Sequence, residues 1–128
     1  MKKYTQEQLI ESGYRIENAL ITNVDLSMAD YGCLKLAMTL EGGGWGVVYG
    51  SHCLGKGYLG ADDDFFDRSA AGTEYLMRIM DTVEVEKFQD LKSKYVRVAI
   101  KTWVDTVNII GNIISNIINF LFSLNNVF

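Results

Sequence analysis

Residues 33–44, Cys33-Leu34-Lys35-Leu36-Ala37-Met38-Thr39-Leu40-Glu41-Gly42-Gly43-Gly44, decide the fold. Leu34, Leu36, Met38 and Leu40 fall at every second position, with Cys33, Lys35, Thr39 and Glu41 between them. Such alternation marks a strand with one face in a core and the other in water. The glycine triplet then breaks the strand, and Trp45 to Tyr49 resumes an extended pattern as a further strand. Upstream, Ile16, Leu20, Val24 and Leu26 are expected to face inward, opposite Arg15, Glu17, Asn23 and Asp25. Ser27 to Gly32 supplies a short polar turn, so the strands on either side of it form a hairpin.

Before the hairpin, Thr5 N-caps a short helix reaching Ser12. Gln8 completes a capping box, Glu7 suits the first turn, and Gly13 ends the helix, so residues 1–13 form an N-terminal helical segment. Beyond it, Ser51 to Asp67 is expected to be irregular, punctuated by Gly55, Gly57 and Gly60. Ser69 to Val83 is the main helix, with Leu76, Ile79, Met80 and Val83 on one stripe. Val85, Phe88 and Leu91 suggest a further helical turn. Tyr95 to Thr102 reads as a fourth strand with Val96, Val98 and Ile100 inward, and a fifth apolar segment starts at Val107 after a polar turn near Asp105. The order βββαββ predicts an α+β fold: a small, mostly antiparallel sheet of about five strands, with one main helix packed on one face.

A chain of 128 residues fits a single domain, 1–128, and 48% hydrophobic residues are enough for a core. The net charge of −4 argues against binding extended nucleic acid, which needs a basic surface. Met1 to Tyr14 carries charges and no apolar stretch of the signal-peptide kind, so the expected location is the cytoplasm, with Cys33 and Cys53 reduced. After Asp105 no charged side chain remains. Asn108, Asn112, Asn116 and Asn119 interrupt runs of isoleucine, and residues 115–128 form an apolar tail. Amides are costly in hydrocarbon, so the expectation is burial in the fold or between copies, giving a homo-oligomer and not membrane insertion. The isoleucines, the asparagine spacing and Gly111 suit a helix and a strand alike.

Chemistry is sparse. Gly50-Ser51-His52-Cys53-Leu54-Gly55-Lys56-Gly57 approaches a phosphate-binding loop, but Gly57 stands where the magnesium-binding hydroxyl belongs, and the segment reads as a glycine-rich loop leaving a strand. Gly42 to Gly46 contains no intact G-x-G-x-x-G, because position 47 is Val47. Adjacent His52 and Cys53 point to opposite sides of an extended chain and make no nucleophile pair. Asp62-Asp63-Asp64-Phe65-Phe66-Asp67 lacks the ligand spacing of a calcium loop and reads as a solvated acidic turn. No catalytic residue, metal site or cofactor is expected. The candidate ligand-binding residues are Gly43 and Gly44 for close backbone approach, Trp45 and Tyr49 as stacking faces, Lys56 in the glycine-rich stretch, and the cations Arg97 and Lys101 beside Tyr95 and Trp103.

Asp30-Tyr31-Gly32-Cys33-Leu34, Leu40 to Gly46, Gly72 to Val98 and Ile109 to Ile114 resemble a family of short proteins encoded by phages and prophages of bacteria. The resemblance spans Tyr14 to Ile114. Beyond it such proteins tend to be polar with a Trp-Phe, whereas this chain is mostly apolar. No functional residue carries over. The resemblance implies a non-catalytic accessory protein that antagonises a host defence system, either by sequestering a nucleotide-like signal or by docking on a defence protein. The alternatives are an enzyme acting on a phosphorylated ligand through Gly50 to Gly57, and a structural protein assembling through its tail.

Overall fold

The computed structural model describes residues 3–30, 32–57, 66–67, 69–101, 106–107, 109–112 and 120–122. The fold is α+β. Its main strands are β2 (Arg15–Asp30), β3 (Cys33–Gly42), β4 (Trp45–Gly57), β6 (Tyr95–Ile100) and β8 (Ile109–Asn112). Shorter strands are β1 (Lys3–Tyr4), β5 (Phe66–Asp67), β7 (Thr106–Val107) and β9 (Phe120–Phe122). The helices are α1 (Gln6–Glu11) and α2 (Ser69–Val83), with a 3₁₀ turn at Phe88–Leu91. α1 begins at the expected capping box. The Gln8 N–H donates to the Thr5 hydroxyl and the Thr5 N–H to the Gln8 side-chain oxygen.

The strands pair in the order β1-β9-β8-β6-β2-β3-β4-β5, and β7 pairs with β4. Every neighbour in that path is antiparallel, whereas β7 runs parallel to β4 through Val48↔Thr106 and Tyr49↔Val107. One residue separates β7 from β8, so a nearly continuous segment touches β4 with its first half and β6 with its second. The pairings β2-β3-β4-β7/β8-β6-β2 therefore form a ring. This is a five-stranded, partly open Greek-key barrel with its main helix between the third and fourth barrel strands, the arrangement of an OB-fold.

Leu36, Met38 and Leu40 are fully buried as the alternation requires, together with Val96, Val98 and Ile110 from the far side of the ring. α2 closes this core with Tyr75, Ile79 and Val83, and Leu76 packs against it. Gly72 sets the helix depth: a side chain there would run into the Leu54 backbone carbonyl, so α2 lies directly on β4. Truncating Leu36 or Ile79, both fully buried, to alanine costs about 2–5 kcal/mol. A second small cluster, Leu9 of α1 on Ala99 of β6 with Tyr14 and Ile16, lies on the other face of the sheet.

Four sequence expectations change. The turn expected over Ser27 to Gly32 is shorter, because β2 runs on through Asp30 and pairs with β3 at Ser27↔Lys35 and Asp30↔Cys33. In β2 the residues facing the core are Ala19 and Ile21, then Val24, because a register shift between Ile21 and Asn23 resets the alternation. Ile16 faces α1 instead, and Leu26 is 39% exposed. The fourth strand ends at Ile100, short of Thr102. The third strand does not stop at Tyr49 but continues to Gly57, so Ser51 to Gly57 is not irregular. The acidic run Asp62 to Asp64, Trp103, Asn108, Asn116 and Asn119 lie outside the described residues.

Candidate functional site

The glycine-rich stretch is a strand and cannot cradle a phosphate. Its backbone pairs with β3 through Cys33↔Lys56, Leu34↔Gly55 and Lys35↔Cys53, and with β5 through Lys56↔Asp67 and Gly57↔Phe66. Phosphate-binding loops instead turn consecutive N–H groups toward the ligand. The reading of Gly50 to Gly57 as a loop is thus corrected. Gly50 itself sits at a register shift in β4 with φ 94°, its Cα against the Leu36 carbonyl, a conformation and a contact that only glycine tolerates.

The structure separates the candidate aromatic and cationic residues. Tyr49 is fully buried, so its ring offers no stacking face to solvent. Its neighbour is Tyr75, with ring centroids 6.2 Å apart. Burial pushes both hydroxyls well above the usual tyrosine range, Tyr75 further because Tyr49 stands beside it. Neither is an acid or base for neutral chemistry. Trp45 is half-buried at the first position of β4, paired with Gly42, and its indole lies against that glycine. Gly43 and Gly44 form the turn before it and face open space.

On β6, the outward face carries Tyr95, Arg97 and Ala99, as the alternation implies, and Tyr95 is 58% exposed. α1 interrupts this face. Leu9 packs on Ala99, the Arg97 guanidinium donates to the Gln6 side-chain oxygen at 2.9 Å, and Lys101 lies 5.5 Å from the centre of the Tyr14 ring. Arg97 and Lys101 therefore belong to the anchoring of the N-terminal segment, and among the described residues no continuous stacking platform joins them to Trp45.

Two features that sequence reasoning missed lie on the β2–β3–β4 side. The first is a thiol pair. Cys33 and Cys53 stand on neighbouring strands, with the Cys53 sulfur 2.6 Å from the Cys33 sulfur and 3.1 Å from the Gly55 carbonyl oxygen, either of which can accept its one S–H. Each lies opposite a lysine across the ladder, Cys33 facing Lys56 and Cys53 facing Lys35. A separation of 20 residues hides the pair in sequence, and only the β3–β4 register reveals it.

The second feature is an open edge. β6 pairs β2 only from Arg15 to Leu20, and Ile21 then exchanges backbone bonds with Ser93 and Lys94. From Thr22 onward, among the described residues, no strand pairs β2 on the side away from β3. This free edge carries Leu26 and Met28, 39% and 46% exposed. Its signal in the sequence is the excess length of the strand over its partner β6.

Among the described residues no group of three or more His, Cys, Asp or Glu could hold a metal ion. Among them, too, no helix is long and apolar enough to cross a membrane. Comparison of the chain with protein-family models, curated proteins and solved structures finds no match to any of them.

Proposed function

We propose that this chain is a non-catalytic phage accessory protein that antagonises a bacterial defence system by docking on one of its proteins. The phage origin rests on the sequence resemblance. Docking is favoured over sequestration of a nucleotide-like signal by one observation, the open edge of β2 with exposed Leu26 and Met28. An unpaired strand edge offers a row of backbone donors and acceptors, and an extended segment of a partner pairs with it as an added strand. Apolar side chains along that edge add the burial that holds the segment. A nucleotide, by contrast, needs an exposed aromatic face beside free cations, and Tyr49 is buried while Arg97 contacts α1.

The test is phage plating on bacterial strains that each carry one defined defence system. The wild-type chain is expected to restore plating on at least one strain, and Leu26→Asp with Met28→Asp to lose that effect while melting like the wild type. Equal potency of a folded double variant overturns the docking edge. Release of a nucleotide from heat-denatured wild-type protein overturns docking in favour of sequestration.

A further inference from the structure

We infer that Cys33 and Cys53 are a redox-active pair that closes to a reversible disulfide between β3 and β4, with glutathione disulfide as the class of oxidant. Sulfur atoms 2.6 Å apart need only a small closing movement to bond. Both thiols are partly buried, so a small molecule reaches them while bulk protein shields the product. They flank the register shift between Leu34 and Lys35, where the ladder carries an extra residue and the backbone has slack to bring the sulfurs together. Lys56 opposite Cys33 and Lys35 opposite Cys53 place two positive charges beside the pair. Glutathione disulfide is a small, soluble disulfide that exchanges with accessible thiols.

The chemistry balances without any further reagent. One cysteine thiolate attacks a sulfur of glutathione disulfide, forming a mixed disulfide and releasing one glutathione thiolate. The second cysteine thiolate attacks the protein sulfur of that mixed disulfide and releases the second glutathione. Two protein thiols are oxidised, one disulfide is reduced to two thiols, and the protons of the cysteines leave on the two glutathiones. In a reducing compartment such bonds are transient, which suits a sensor better than a structural staple. The inference stands apart from the docking proposal, since it concerns the β3–β4 side of the hairpin and not the free β2 edge.

The experiment treats the reduced full-length chain with glutathione disulfide and measures intact mass and linked peptides. The expected product is a monomer lighter by two hydrogens, with the Cys33 and Cys53 peptides joined and the change reversed by dithiothreitol. Its melting temperature should exceed that of the reduced chain, because the bond ties two strands of the core sheet. Cys33→Ser and Cys53→Ser should each stop at a single stable glutathione adduct. A wild-type chain that carries glutathione adducts without an internal bond, that stays unmodified, or that links into dimers overturns the inference. If one serine variant fails to fold, the other and the wild-type mass still decide it.

Discussion

Glu84 ends α2 in the left-handed region, with φ 64°. Its N–H donates to the Asp81 carbonyl at 3.2 Å, and the Val85 N–H reaches back to Met80 at 3.0 Å. This pair of bonds is the helix stop that usually has glycine at the left-handed position. A residue with a Cβ is held there at a cost of about 1–2 kcal/mol. Glu84→Gly should therefore stabilise the chain by about 0.5–1 kcal/mol after the entropy of glycine is charged against it. The check is a urea titration, with the midpoint rising at unchanged slope. A lowered midpoint would show that Glu84 makes a contact worth more than its strain. Local signals of this kind were readable in part. Thr5 and Gln8 announced their capping box because the interaction spans three residues. The left-handed stop at Glu84 was silent, since no glycine marks it. The shift between Ile21 and Asn23 was silent too, because Leu20, Ile21 and Val24 are all apolar and two registers fit them equally.

β9 shows how far an element depends on its surroundings. Phe120–Phe122 lies in the tail whose conformation the sequence left open, and it forms a strand between β8 and β1. Runs of isoleucine and phenylalanine suit a buried strand and a buried helix alike, so periodicity could not choose. Pairing decides it, through Ile110↔Leu121 on one side and Tyr4↔Phe120 on the other. Removing residues 115–128 should thus expose the outer edge of β8 and leave β1 without this partner. The truncated chain is expected to unfold at lower denaturant than the full chain or to precipitate. Equal solubility and an equal midpoint would contradict the placement of β9. The same dependence explains Gly50 to Gly57. Three glycines in eight residues argue for a loop by local preference, yet the long β3 beside them holds them extended. α2 was legible to its ends because its apolar stripe needs no partner to be seen, although Tyr75 and Gly72, which lie against β4, were not on the stripe the sequence marks as inward.

At the scale of the molecule, the strand order βββαββ was legible and the ring it makes was not. Two long-range choices close the barrel: β6 against the first half of β2, and β7 along β4. Neither partner is adjacent in sequence, and parallel contact between short segments leaves no pattern in composition. Ring closure also creates the asymmetry on which the functional account rests. β2 is 16 residues long, and β6 pairs with it only as far as Leu20, so its second half has one edge paired to β3 and the other, among the described residues, without a strand partner. Fold alone does not assign a ligand to such a barrel, and it is this edge that supports docking. Site-resolved amide hydrogen exchange on the full-length chain tests that edge directly. Between Thr22 and Met28 the account predicts two alternating sets of amides: those pointing to β3 protected, and those pointing away exchanging almost as fast as in an unfolded chain. Protection of both sets would mean that the edge is already occupied, by the chain itself or by a second copy, and would contradict the account.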